Sequence, residues 1–177
     1  MDKRKVANQQ VKDRLLAALV EFASRKDWSK VTVTELVEAA GVARASFYRN
    51  FASVEELVDY GMRQLTERYH AGKPEGREGF RDRTLVEYKF RFYQEHAGLV
   101  LAFHRAKAAT SLLDLITDCE IACWGDMPLS SPDRYEVYFY AGAFYNVLLC
   151  WLESGAKESP EAMADEFMGL VDGVAGY

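Results

Sequence analysis

The sequence predicts an all-α chain of about nine helices. A three-helix head with a helix-turn-helix occupies residues 1–52, and a helical bundle that forms a dimer occupies 53–177. Three observations carry this reading. Residues 31–57 hold helix start and stop signals at close spacing. The remainder shows few strand-like alternations. Two later helices open on matched Ser-Pro pairs, Ser131-Pro132 and Ser159-Pro160, each a cap followed by proline at the first helical position.

The elements follow in order. The first helix spans about Ala7 to Ser24, with Leu15, Leu19 and Phe22 as its apolar stripe and Leu16 and Ala23 alongside. Lys3, Arg4 and Lys5 precede it as a short basic arm. A solvated terminus and a phosphate or minor-groove contact both suit that arm. The second helix carries Val33, Leu36, Val37 and Ala40 at i, i+3, i+4 and i+7. Thr32 and Glu35 form a capping box at its start, and Val31 is placed to staple onto Leu36. Gly41 follows the last stripe residue, where a left-handed C-cap needs no Cβ. A third helix of about two turns covers Arg44 to Asn50. Ser53 and Glu56 make a second capping box, opening a fourth helix that runs to about His70. Residues 71–79, with three glycines and a proline, read as a loop and a boundary. Five further helices are expected near 80–95, 97–107, 110–124, 132–154 and 160–175.

A helix, a glycine turn and a short second helix form the layout of a helix-turn-helix reader of duplex DNA. At about 100° per residue, Arg44, Ala45, Tyr48 and Arg49 share one arc of the short helix, and Phe47 and Phe51 point away from it toward a core. Small Ala45 and Ser46 beside the arginines suit a helix that must come close to base edges in the major groove.

The run Gly-Val-Ala-Arg-Ala-Ser-Phe-Tyr-Arg-Asn-Phe, residues 41–51, resembles the signature of the TetR/AcrR family of bacterial transcription regulators. The resemblance extends over residues 12–60 and includes Phe22, Tyr48, Phe51 and Glu56-Leu57. Trp151-Leu-Glu-Ser-Gly and Ser159-Pro-Glu-Ala-Met-Ala are similar to the final two helices of members related to the regulators of dihydroxyacetone kinase operons. The resemblance implies a DNA-binding set of Thr32, Thr34, Arg44, Ala45, Ser46, Tyr48, Arg49 and Asn50. The family usually has a lysine on a DNA phosphate where this chain has Val54. That departure removes a backbone contact and should lower affinity for all sequences alike.

Charge is divided along the chain. Residues 1–50 hold 10 Lys/Arg against 6 Asp/Glu, and residues 51–177 hold 12 against 21. A basic head on an acidic body suits docking of one end on phosphates. No apolar run reaches the length of a membrane span, and the start of the chain lacks the apolar stretch of a secretory signal, so a cytoplasmic protein is expected. Three cysteines, odd in number, suit a reducing compartment. Cys119 and Cys123, at i and i+4, fit small buried residues better than a redox or metal pair. His70, His96 and His104 lack di-iron spacing, and neither a phosphate-binding glycine loop nor a G-x-S-x-G turn is present. The sequence therefore predicts no catalytic residue, no metal and no cofactor.

Helix 132–154 is apolar nearly all round. Tyr135, Phe139, Gly142 and Leu149 lie toward one side, and Val137, Tyr140, Phe144, Leu148 and Trp151 toward the other. One side can pack on its own body and the other on a second chain, so the last two helices predict a two-fold homodimer; a thick single-chain core is the competing reading. Between Phe80 and Trp151 lie 14 of the 23 aromatic residues, which suit an ordinary core and a small-molecule pocket equally. The family resemblance implies the pocket and an unidentified small-molecule effector, with Tyr93, His96, Phe103, His104, Tyr140 and Phe144 as its candidate lining and Asn146 as a further polar contact. The expected partners are thus double-stranded DNA, a second copy and an effector, with no membrane. A DNA-binding regulator controlled by a protein partner, without an effector, is the alternative.

Overall fold

The computed structural model describes residues 3–23, 25, 30–76, 79–105, 109–124 and 128–175. Among these residues the chain forms nine helices and no strand. They are α1 (Lys3–Ala23), α2 (Val33–Ala40), α3 (Arg44–Asn50), α4 (Val54–Gly72), α5 (Arg83–Glu95), α6 (Ala97–Arg105), α7 (Ala109–Trp124), α8 (Pro132–Glu153) and α9 (Pro160–Ala175).

The predicted caps of α2, α8 and α9 form as read, and that of α4 forms in part. Thr32 accepts the Glu35 amide while the Glu35 carboxylate accepts the Thr32 amide. Gly41 ends α2 at φ 61°, its amide donating to the Glu38 carbonyl and that of Val42 to Val37. This is a Schellman ending with glycine at its left-handed position. Ser131 and Ser159 accept first-turn amides from Arg134 and Ala162 ahead of their prolines. At the start of α4, Ser53 accepts the Glu56 amide. The Glu56 carboxylate reaches one residue further back than a capping box requires, to the Ala52 amide at 2.6 Å.

The first helix differs from expectation. Helical backbone begins at Lys3, so Arg4 and Lys5 belong to the first turns of α1 and do not form a separate arm. Ala7 and Val11 continue the Leu15 row backward at intervals of four, which is the periodic reason for the extension.

Contacts divide the chain into two compact units. The first comprises residues 1–66 with 98–109, and the second comprises 67–97 with 110–177. In the first unit Leu15, Leu19, Leu36, Phe47, Phe51 and Leu57 are buried where α1, α2, α3 and α4 meet. The sixth helix joins them. A Cβ on Gly61 of α4 would lie 2.7 Å from Leu16 Cδ1 and 3.0 Å from Phe103 Cζ, so any other residue there would force these side chains to shift. Val54, at the position where the resemblance suggested a missing lysine, is 8 % exposed and forms part of this core.

In the second unit α5 packs along α9. Arg83 pairs with Asp165 at 2.6 Å and Arg91 with Glu161 at 2.7 Å, and Glu87 meets both arginines. Between the helices lie Phe80, Phe90, Phe144 and Phe167, with neighbouring ring centroids 5.0–6.3 Å apart. Along α8, Val137, Tyr140, Phe144, Leu148 and Trp151 are buried, while Tyr135, Tyr138 and Phe139 are at least half exposed. Leu149 joins the buried side, contrary to its expected place beside Phe139.

The Gly41 ending sets the angle between α2 and α3. A Cβ there would meet no atom within 4 Å, so the cost of adding one is purely conformational. Gly41→Ala should destabilise the protein by about 1 kcal/mol, read as a lower urea midpoint with an unchanged slope.

Candidate nucleic-acid interface

The third helix is seven residues long, and its cap position, Ala43, offers no side-chain hydrogen bond. It is therefore held by its underside. Phe47 is fully buried, with ring centroids 5.4 Å from Tyr48 and 5.9 Å from Phe51; Phe51 in turn lies 5.4 Å from Tyr60. With that face anchored, Arg44, Ala45, Tyr48 and Arg49 are exposed, and Ser46 and Asn50 half-buried. The arc read from the sequence is the solvent face.

The structure brings three of the predicted residues into one network. The Arg44 guanidinium donates to Thr34 Oγ1 and to the Tyr48 hydroxyl, both at 3.2 Å, and lies 5.6 Å from the Tyr48 ring centroid. These contacts restrain a long side chain that would otherwise lose its rotamer freedom on binding. A guanidinium has five N–H donors, so two such bonds leave others for a base edge or a phosphate. Thr32 is engaged differently: its hydroxyl accepts the Glu35 amide and donates to the Glu35 carboxylate, which commits it to the helix cap. Asn50 donates to the Ser46 carbonyl at 2.8 Å.

A concavity of about 520 Å³ opens where α1 meets α3, lined by Arg4, Lys5, Ala7, Asn8, Val11, Ser46 and Arg49. Three cations and an amide side chain around an open cleft favour an anion such as a backbone phosphate. Asn8 was missed by sequence reasoning. The Ala7–Val11–Leu15 row was the available signal, because it places Arg4, Lys5 and Asn8 on helix.

The predicted effector-lining residues fall in both units. In the second, Tyr93 is buried and burial pushes its hydroxyl well above the usual tyrosine range, with Cys119 and Glu120 adding to the shift. Tyr140 is buried and accepts from Arg81 at 3.2 Å; Phe144 is fully buried among rings. His96 closes α5, a ring nitrogen 2.8 Å from the Phe92 carbonyl and the ring stacked on Phe92 at 4.4 Å. Phe103 and His104 lie on α6 in the first unit, and Asn146 is exposed on α8. Tyr88, half-buried, donates to the Tyr69 carbonyl at 2.7 Å, and burial raises its hydroxyl to about 12.

Two polar contacts of the second unit were not visible in the sequence. Lys89 and Glu120 pair at 2.5 Å with both side chains 2 % exposed. Cys119 is buried with Sγ 3.6 Å from His70 Nε2. The side chain of Cys123 lies outside the described residues. No group of three or more metal-ligating side chains occurs among the described residues, and no described helix is long and apolar enough to cross a membrane.

The sequence model described as bacterial regulatory proteins of the tetR family matches residues 15–60. A second, described as a transcriptional regulator C-terminal region, matches residues 90–173. The HTH-type transcriptional regulator AlkX of Mycobacterium tuberculosis is 29 % identical over 112 residues, which is 60 % of this chain and 53 % of that protein; the match thus spans about half of the relative's length. Among solved structures, a TetR transcriptional regulator from Streptococcus agalactiae superposes with a TM-score of 0.67 at 16 % identity, covering 95 % of this chain and 97 % of that one. FadR from Bacillus subtilis, in complex with stearoyl-CoA, gives 0.60 at 15 %, covering 92 % and 96 %. The dihydroxyacetone kinase operon activator DhaS gives 0.58 at 13 %, covering 90 % and 93 %. At these identities the likeness is one of fold.

Because the underside of α3 alone anchors the arc, Phe47→Ala should cost about 3–5 kcal/mol of stability, whereas Arg44→Ala should leave the thermal midpoint nearly unchanged. Paired thermal melts of the two variants check the separation.

Proposed function

Since this chain belongs to the tetR family of bacterial regulatory proteins, we propose that it is a sequence-specific DNA-binding transcription regulator, a ligand-responsive repressor that binds a near-palindromic operator as a homodimer. The observation that carries the reading is the α3 face. It is an exposed arc of Arg44, Ala45, Tyr48 and Arg49 on a buried phenylalanine anchor, with Arg44 already oriented by Thr34 and Tyr48. In this proposal Arg44 reads a base edge, with small Ala45 and Ser46 permitting close approach. Arg49, Tyr48, Asn50, Thr32 and Thr34 contact backbone or flanking bases, and Arg4, Lys5 and Asn8 extend the phosphate contact along α1. Residues 1–52 act as the reading head and 53–177 carry the effector and dimer functions.

The dimer rests on the uncovered face of α8 and α9. Tyr135, Tyr138 and Phe139 are at least half exposed, Leu170 is 52 % exposed, and a Cβ on Gly142, Gly169 or Gly173 would meet no atom within 4 Å. Such a face suits close helix–helix contact with a second copy, and two heads then fit two half-sites about one or more helical turns apart.

The effector is proposed to bind in the aromatic interior of the second unit, near Tyr93, Tyr140 and Phe144. Support comes from that aromatic wall and from the fold likeness to FadR, whose structure holds stearoyl-CoA. The fourth helix supplies residues to both units, so occupancy of the second would act on the head through continuous helix. Effector and operator affinities are then coupled in both directions.

Selection of genomic DNA fragments by the purified protein tests the reading, with recovery of a palindromic site expected. On that site Arg44→Ala should relax preference at one or two base positions by about 1–3 kcal/mol. Arg49→Ala should weaken binding to all sequences and lower the salt slope by about 1. Selection of no specific site at moderate salt, or an unchanged preference in Arg44→Ala, would count against the assignment. For the dimer, Phe139→Glu should convert a dimeric sedimentation profile to a monomeric one and lower operator affinity with it.

A further inference from the structure

The interior of the second unit contains one feature that packing does not require. Lys89 of α5 and Glu120 of α7 form an ion pair at 2.5 Å, with both side chains 2 % exposed. The ammonium lies 3.7 Å from the centroid of Phe80 and 5.8 Å from that of Phe144. Tyr93, one turn along α5 from Lys89, is buried in the electrostatic field of the same carboxylate. Oxygen Oε2 of Glu120 is buried and meets no hydrogen-bond donor among the described residues.

Removing two charges from water is costly, and well-packed apolar residues of the same volume usually hold a core together equally well or better. A buried carboxylate with one oxygen unsatisfied is a poor choice if stability is its only purpose. Phe80 and Phe144 face the ammonium, and Phe90 and Trp151 continue the same cluster of buried rings. The pair is therefore a polar point placed in an aromatic setting, the arrangement that fixes the orientation of an otherwise apolar ligand.

We infer that the Lys89–Glu120 pair is the polar anchor of the effector site, and that it selects an apolar molecule carrying an uncharged hydrogen-bond donor, a hydroxyl or an amide N–H, given to Glu120 Oε2. The inference rests on the effector reading above. The ligand class follows from the pair itself. The ammonium of Lys89 is already engaged by Glu120 Oε1 and by the Phe80 ring, so the open position of the pair is the acceptor Oε2, and the ligand must donate. Lysine and glutamate already cancel in charge, so a carboxylate or ammonium on the ligand would leave a net charge in a dry interior. The rings take up the apolar body.

The test uses the full-length protein and three probes with the same ten-carbon body: 1-decanol, methyl decanoate and sodium decanoate, titrated by calorimetry. The alcohol should bind at least about tenfold tighter than the ester or the carboxylate, the difference expected from one hydrogen bond to a charged acceptor. The double variant Lys89→Met with Glu120→Leu should retain binding of the ester, lose the preference for the alcohol, and melt at or above the wild-type midpoint. Equal binding of all three probes to wild type would overturn the anchor and leave the effector site standing. Preference for decanoate would overturn the ligand class. Binding of none of the probes would remove the effector reading, and the anchor with it. A double variant melting far below wild type would show the pair to be structural, overturning the inference without reference to any ligand.

Discussion

The solvent face of α3 depends on one buried ring. A helix of seven residues without a side-chain cap has too few internal hydrogen bonds to hold itself in water. Its existence and its orientation both come from Phe47, fully buried, and from Phe51 just beyond the helix end. Every feature of the proposed reading face is downstream of that contact. The outward arc of Arg44, Ala45, Tyr48 and Arg49 is simply the part of the helix that Phe47 does not take inward. The turn before it is fixed independently, by the Thr32–Glu35 box at one end of α2 and Gly41 at the other. Two local devices and one core contact thus aim a surface that itself contributes little to stability.

The two units solve different physical problems. The first places a polar face precisely, and its charge contacts, such as Arg44 with Thr34 and Tyr48, lie at the surface where water remains available. The second encloses an aromatic interior and holds an ion pair within it. Around that interior, Arg83 and Arg91 bridge α5 to α9 in solvent, where each pair adds little energy but favours one register of the helices. Polar groups orient the first unit from outside and mark the second from within.

Much of this was legible because it is local. Capping boxes, Ser-Pro starts and the Gly41 stop are read within a few residues, and α2, α3 and α9 have the expected bounds. The arc of α3 followed from periodicity alone. What escaped the sequence is contact between distant positions. Lys89 lies in a stretch with Arg83, Glu87 and Arg91 that reads as a solvated charged face, and nothing near it announces Glu120. His70 and Cys119 are separated by 49 positions, so no spacing rule pairs them. The direction of α6 was hidden likewise: its apolar stripe of Val100, Ala102 and Phe103 is evident, but not which core it fills.

That placement of α6 bears on how such a protein can be taken apart or recombined. The first compact unit is not a contiguous stretch of chain, because residues 98–109 complete it from beyond α5. A fragment ending near residue 72 would leave Leu16, Gly61 and their neighbours without Phe103, presenting bare apolar surface where a helix belongs, and one ending near residue 52 would lose Gly61 as well. Grafting this head onto another body therefore means carrying the sixth helix along, or supplying one that fits against a glycine. In evolution the same contact ties together stretches of chain that are distant in sequence: the surface that touches α6 can drift only as fast as α6 itself, however freely the second unit changes.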